Sequence, residues 1–158
     1  MKPIQLPHGS VAIVDDEDFD RVNSYRWYMT GNGYARTNKN VGGLQRGMAM
    51  HRFILEIQTG DERIVDHIDG NRLNNQKANL RICTHAQNLR NQKRRRDNTT
   101  GYKGVTFDVK AGRFHAQIRN NGARKHLGHF DTAEEAHAAY CAAALELHGE
   151  FANFGDQT

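Results

Sequence analysis

The sequence predicts an α+β protein built in two parts, and three observations carry that prediction. Apolar and polar residues alternate in short runs separated by Gly and Asn turns through 1–60 and again through 101–130, the spacing of strands rather than of helices. Between those regions, 65–92 reads as strand, loop, strand and helix. A basic run, Lys93, Arg94, Arg95 and Arg96, then leads into the turn-forming Asp-Asn-Thr-Thr-Gly of 97–101, which places a boundary near 97–100. The parts are therefore 1–96 and 101–158. With 158 residues, 37% of them hydrophobic, the chain can build only modest cores, which favours two small units over one large one.

Taken in order, residues 11–14 form a first strand, and the acidic DDEDFD after it favours the start of a helix through Phe19 and Val22, where carboxylates meet the positive end of the helix dipole. Residues 26–29 and 34–36 flank Gly31, Asn32 and Gly33 as a hairpin, and Gly42-Gly43 marks another turn before 48–50. This is a small β platform. Trp27 is read as core before base stacking, since alternate strand positions face inward. His51 and Arg52 open a short apolar helix, HRFILE, expected to end at Gly60. A phosphate contact from either side chain and a packed His51 are both open readings.

The stretch VDHIDGNRLNNQKANLRICTHAQNLRNQ carries the chemistry. Residues 64–66 are an apolar run ending in a carboxylate, a strand whose end delivers Asp66 and His67 to the surface. Asp69, Gly70 and Asn71 make a turn, and 79–82 alternate as the returning strand. Thr84 suits the N-cap of a helix through Gln87, Leu89 and Asn91, with Asn88 about one turn in. One carboxylate, one imidazole and amide oxygens suit metal-assisted cleavage of a phosphodiester. A hard ion such as Mg²⁺ needs few protein oxygens, so Asp66 and Asn88 suffice as ligands. His67 takes a proton from water, and Asn79 hydrogen-bonds the imidazole across the hairpin.

In the last third, 102–107, 113–119 and 124–130 read as three strands joined at Ala111-Gly112 and Asn120-Asn121-Gly122. Phe114, Ala116 and Ile118 share one face of the middle strand, leaving Arg113, His115, Gln117 and Arg119 on the other, with Arg124 and His126 extending it. Thr132 and Glu135 make a capping box for a helix that Gly149 ends. Its alanines at 133, 136, 139, 143 and 144 allow close approach to the sheet. A three-stranded sheet with an Arg, His and Gln face can enter a major groove as β-ribbon readers do.

These motifs resemble known families. DHIDGN followed by NLR and then QN is similar to the signature of the HNH endonucleases with a ββα-metal finger, in particular the phage homing endonucleases, and MHRFIL resembles the segment that precedes their active site. The resemblance implies His67 as general base with Asn79 as the central N, Asp66 and Asn88 as metal ligands, and DNA hydrolysis with Mg²⁺ (or Mn²⁺) leaving 5′-phosphate and 3′-hydroxyl ends. Asn88 stands where many members have His. YKGV, RFHAQI, HLGHF and EEAHAAY resemble the DNA-binding domain of the plant ethylene-response factors, the Apetala family, whose sheet positions correspond here to Arg113, Gln117, Arg119, Arg124 and His126. His126 replaces the usual Trp. The fold implied is a ββα-metal nuclease domain with an N-terminal β platform, then a three-stranded antiparallel sheet on one C-terminal helix.

Charge agrees with a polyanionic partner. The 22 Lys and Arg against 18 acids are unevenly spread, with fifteen bases and six acids in 21–100. Arg94, Arg95 and Arg96 exceed what a helix C-terminus needs and are read as tracking the phosphate backbone. The expected partner is double-stranded DNA, bound by a monomer, in the cytoplasm of a bacterium or phage-infected host. Cys83 and Cys141 are single and distant, so neither a disulfide framework nor a cysteine zinc site is indicated. No run approaches a membrane span or signal peptide. Two rival functions remain: a DNA-binding regulator with an inactive nuclease fold, and a ribonuclease using the same finger.

Overall fold

The computed structural model describes residues 1–58 and 60–155 and is an α+β protein with antiparallel sheets. The chain packs as two compact units, Met1–Thr84 and His85–Thr158.

In the first unit, β1 (Lys2–Gln5) pairs with β2 (Val11–Val14), and α1 (Asp16–Asn23) follows. The sequence reading begins at β2 and omits β1. Its mixture of Lys, Pro and Gln around Ile4 carries almost no alternation, and only pairing with β2 defines it. The hairpin turns at 31–33 and 42–43 fall between β3 (Tyr28–Met29), β4 (Ala35–Val41) and β5 (Leu44–Ala49), a sheet in the order β3-β4-β5. The short helix α2 (Met50–Ile54) stops earlier than Gly60, because Glu56 turns into the left-handed region with φ 56°. Ile4, Val14, Val22, Trp27, Met50, Ile54 and Ile57 form the core. Trp27 belongs to it: the indole Nε1 donates to the Val22 carbonyl at 2.7 Å, which satisfies its one polar atom while the rings are buried. The unit ends in the hairpin of β6 (Ile64–His67) and β7 (Leu80–Cys83).

The second unit begins with α3 (His85–Arg90) and an irregular basic segment. It continues as β8 (Val105–Asp108), β9 (Arg113–Asn120) and β10 (Ala123–Phe130), in the spatial order β10-β9-β8, and ends in α4 (Ala133–His148). The Thr132–Glu135 capping box is formed in both directions. Ala133, Ala136, Ala143 and Ala144 are buried against the sheet beside Val105, Ala116 and Ile118. Small residues at these positions let helix and sheet approach closely, and Tyr140 fills the space left over.

Candidate functional site

The hairpin β6–β7 sets Asp66 opposite Arg81 and His67 opposite Leu80. Opposite charges face each other across the strands, and Arg81 donates to Asp66 Oδ2 from Nε at 3.0 Å and Nη2 at 2.8 Å. Both side chains are nearly buried, at 12% and 7% exposure. The expectation that the strand end brings Asp66 and His67 to the surface is corrected here, since both are buried. A carboxylate needs a cationic or hydrogen-bonding partner to lose water, and Arg81 is one such partner.

His67 packs among rings. Its centroid lies 5.2 Å from that of His51 at an interplanar angle of 89°, and 5.9 Å from that of Tyr34. Tyr34 and His51 touch each other at 5.2 Å. Burial holds the His67 imidazole below its ordinary pKa. The Asn75 amide and the charges of Asp69 and Asp66 oppose that effect, and Arg72 adds to it. The ring is therefore neutral near pH 7, the form that can accept a proton. His51 is pushed down to about 3, by burial first and then by the positive charges of His67, Arg52 and Arg36. Arg52 donates to the carbonyls of Gln58, Asp61 and Arg63 at 3.0, 2.8 and 2.8 Å, so its guanidinium braces a loop instead of standing free for phosphate.

Asn79 takes a different task from the one expected. Its Nδ2 donates to Asp69 Oδ1 at 2.9 Å and to the Asn74 carbonyl at 2.8 Å, while its Oδ1 accepts the Asp69 N–H at 3.0 Å. The amide is spent on tying the 69–75 loop, not on the imidazole. A short 3₁₀ turn, Lys77–Asn79, replaces the first expected strand residue and turns the side chain toward the loop. Burial pushes the Asp69 carboxyl up, but hydrogen bonds from Asn74, the Asn71 N–H and Asn79, with the charge of His67, outweigh it and hold the group below its usual value. Asn88 lies on α3, in the second unit, half-buried.

Three comparisons bear on this geometry. An HNH endonuclease family model matches residues 48–90, and an AP2 domain model matches 100–150. The mimivirus protein "Uncharacterized HNH endonuclease L560" is 32% identical over 144 residues, covering 91% of this chain and 74% of that one. The chain belongs to the HNH endonuclease family. Protein 3.8 of Escherichia phage T7 is 33% identical over 90 residues, covering 57% of this chain and 74% of its own. APETALA2-like protein 2 of rice is 41% identical over 54 residues, which is 34% of this chain and 12% of the rice protein. The solved structure "DNA binding and cleavage by the HNH homing endonuclease I-HmuI" has a TM-score of 0.39 at 22% identity, covering 78% of this chain and 75% of its own.

HNH nucleases generally use a divalent metal ion. Among the described residues, no group of three or more His, Cys, Asp or Glu side chains is arranged to hold one, so a closed zinc-type cage does not fit. Asp66, in the first unit, and Asn88, in the second, each carry an oxygen donor, the type that a hard ion keeping its waters prefers.

The sheet of this HNH protein's second unit presents the expected polar face. Arg119 and Arg124 are paired directly across β9 and β10, both exposed. Like charges directly opposite each other repel across a hairpin. Gln117 is opposite His126. Arg113 is paired with Asp131 at 2.8 Å, which ties down part of its charge. A bulge between His126 and Gly128 shifts the register and sets His129 opposite His115, on the same face as His126. His115 stacks with His126 and with His129 at centroid distances of 4.5 and 5.2 Å, and His126 and His129 lie tilted at 5.1 Å. Strict alternation puts 129 on the other face, so sequence reasoning misses His129.

A cleft of about 690 Å³ in the same unit is lined by Arg90, Lys93, Arg94, Arg95, Lys103, Arg119 and Arg124, with Asp97 its single acid. Arg95 reaches Asp97 at 3.2 Å, and Arg94 Nε is buried without a hydrogen-bond partner. The basic segment and the sheet arginines thus share one cleft. Arg96 is exposed and does not line it.

Proposed function

We propose that this protein is a DNA endonuclease that hydrolyses phosphodiesters with one divalent ion, most simply Mg²⁺ with Mn²⁺ as a substitute. Asp66 and Asn88 would hold the ion, which when bound supplies positive charge for the departing oxygen. His67, neutral in its ring-lined pocket, takes the proton from the attacking water. Asn79 serves this step by fixing the 69–75 loop that adjoins the base. The ends left would be 5′-phosphate and 3′-hydroxyl. The observation that carries the reading is the Asp66–His67 pair on a hairpin strand within the segment that matches the HNH endonuclease model.

Double-stranded DNA would be held as monomer on duplex, by Arg94, Arg95 and Arg96 on the phosphate backbone and by Arg113, Gln117, Arg119, Arg124 and His126 in the groove. The 97–100 stretch would be the functional linker between cutting and reading parts. No helix among the described residues is long and apolar enough to cross a membrane, and a phage relative is consistent with work in the cytoplasm of an infected bacterium.

The test is nicking of supercoiled plasmid by purified protein, with Mg²⁺ and with EDTA. His67→Ala should lose about 10²–10⁴ in rate with duplex affinity unchanged, because a general base lowers the barrier without gripping phosphate. A variant that cuts at the wild-type rate removes His67 from the reaction. A labelled RNA competitor that displaces DNA and is itself cleaved would turn the reading to a ribonuclease.

A further inference from the structure

A cation whose donors are in water gains little from an anion, because each new hydrogen bond replaces one to solvent, whereas a buried donor with no acceptor gains nearly the whole bond. The basic cleft of the second unit holds a donor of the second kind. All of its lining residues fall within His85–Thr158, so the cleft belongs to one compact unit. Its volume of about 690 Å³ lies within the roughly 300–1,000 Å³ of ordinary ligand sites. Seven Lys and Arg line it against one Asp, which selects for an anion.

The walls are tied together. Lys103 Nζ donates to the Arg90 carbonyl at 3.2 Å, to the Gln92 carbonyl and to Asn153 Oδ1 at 3.4 Å. Burial pushes this ammonium down to about 8, so it still carries its charge near pH 7. Arg90 Nη2 donates to Asn121 Oδ1 at 3.0 Å and Asn120 Oδ1 at 3.3 Å, which fixes the end of α3 against the turn between β9 and β10. The cleft is thus built before any ligand arrives, which lowers the ordering cost of binding. Its arginines are not equivalent. Arg95 is exposed and faces Asp97 at 3.2 Å, and Arg96 is exposed and outside the cleft. Arg94 is half-buried, and its Nε is buried and finds no hydrogen-bond partner among the described residues. A guanidinium presents a planar fork that matches two oxygens of a phosphate.

We propose that this cleft is a phosphate site, with Arg94 as its central donor and a backbone phosphate of the bound DNA as its ligand. The task given above to three arginines thus falls chiefly on one. Arg119 and Arg124 line the same cleft, so a phosphate held there sets the register in which the sheet meets the duplex. No covalent bond changes at this site. The proposal rests on the reading of duplex DNA as the partner.

The experiment uses the full chain and compares Arg94→Lys, Arg95→Lys and Arg96→Lys with wild type. Duplex affinity is read by fluorescence anisotropy in EDTA over a range of salt. In parallel, inorganic phosphate is titrated into wild type against chloride at matched ionic strength, with the Arg94 Nε–H followed by NMR. Arg94→Lys keeps the charge but loses the fork, so affinity should fall about 10–100-fold, the worth of a hydrogen bond to a charged group. The salt slope should stay as it is, because the same number of counterions is released. Arg95→Lys and Arg96→Lys should each lose under about fivefold, as exposed charge contacts do. Phosphate should shift the Nε–H resonance to saturation, and this arm decides the matter if Arg94→Lys does not fold. A shift no larger than that with chloride overturns the site. Equal losses in the three variants, with wild type binding duplex, also overturn it and leave the DNA reading standing. A wild-type protein that binds no duplex overturns that reading and the ligand assigned here with it.

Discussion

Gly104→Ala should destabilise the second unit more than any surface change, and the size of the effect follows from two separate costs. Gly104 has φ +79°, where an L side chain is strained by about 1–2 kcal/mol. A Cβ there would stand 2.0 Å from Tyr140 Cδ2 and 2.5 Å from Cε2, far inside contact distance. Tyr140 is 5% exposed and packed among Ile118, Ala143 and Ala144, so its ring cannot swing out, and forced overpacking costs about 1–3 kcal/mol more. The sum is about 2–5 kcal/mol. Denaturant titration followed by far-ultraviolet circular dichroism reads it, because α4 is the longest helix at 16 residues. Fluorescence of Trp27, the single Trp and a core residue of the first unit, gives a separate signal. In the double variant with Tyr140→Ala the clash term should vanish, leaving the two changes non-additive. A loss under about 0.5 kcal/mol, the range of ordinary surface substitutions, would refute the argument that close packing of strand and helix requires glycine there.

Other outcomes can be checked together. Asp66→Ala and Asn88→Ala should each cut activity strongly, with part recovered by excess Mg²⁺ or Mn²⁺, because added metal offsets weak ligation; unchanged calorimetric Mg²⁺ binding in both variants would remove them as ligands. Replacing Arg94, Arg95 and Arg96 with Ala should weaken binding to all duplexes alike and flatten the salt dependence by at most roughly one phosphate contact each. Arg119→Ala or Arg124→Ala should instead relax preference at particular base pairs by about 1–3 kcal/mol, read from cleavage profiles on a randomised library at matched salt. The His115 pKa is lowered by burial and then by the charges of His126 and His129, with Asp108 opposing. Its charge therefore arrives at lower pH than that of an ordinary histidine, so duplex affinity should rise as pH falls below the pH at which an ordinary histidine charges. The linkage for stability has the opposite sign. The unfolded chain takes the proton more readily, so His115 contributes stability that is present above the unfolded value and lost as pH falls. His115→Gln should flatten both profiles, and an unchanged affinity profile would take the imidazole face out of DNA binding.

What the sequence determined by itself is the order of elements and the residue types that could do chemistry. Local causes suffice for these: Gly-Asn turns, a two-residue period, the Thr132–Glu135 cap, and Asp66-His67 at the end of an apolar run all act within a few residues. β1 and the early stop of α2 lay outside that reach, since pairing with β2 and a backbone turn at Glu56 make them. The site depended more heavily on distant neighbours. Asp66 met Arg81 because the β6–β7 register set them opposite, and a shift of one residue would have put different side chains there. Asn79 turned to the Asp69 loop because a 3₁₀ turn redirected it. Tyr34 and His51 come from separate segments and reach His67 only through packing of the first unit. His129 joined His115 and His126 through a bulge that no alternation pattern contains. Side-chain type is written locally, but which polar atoms lose water together, and so which charges and tautomers are stable, is decided by the tertiary contacts that bury them.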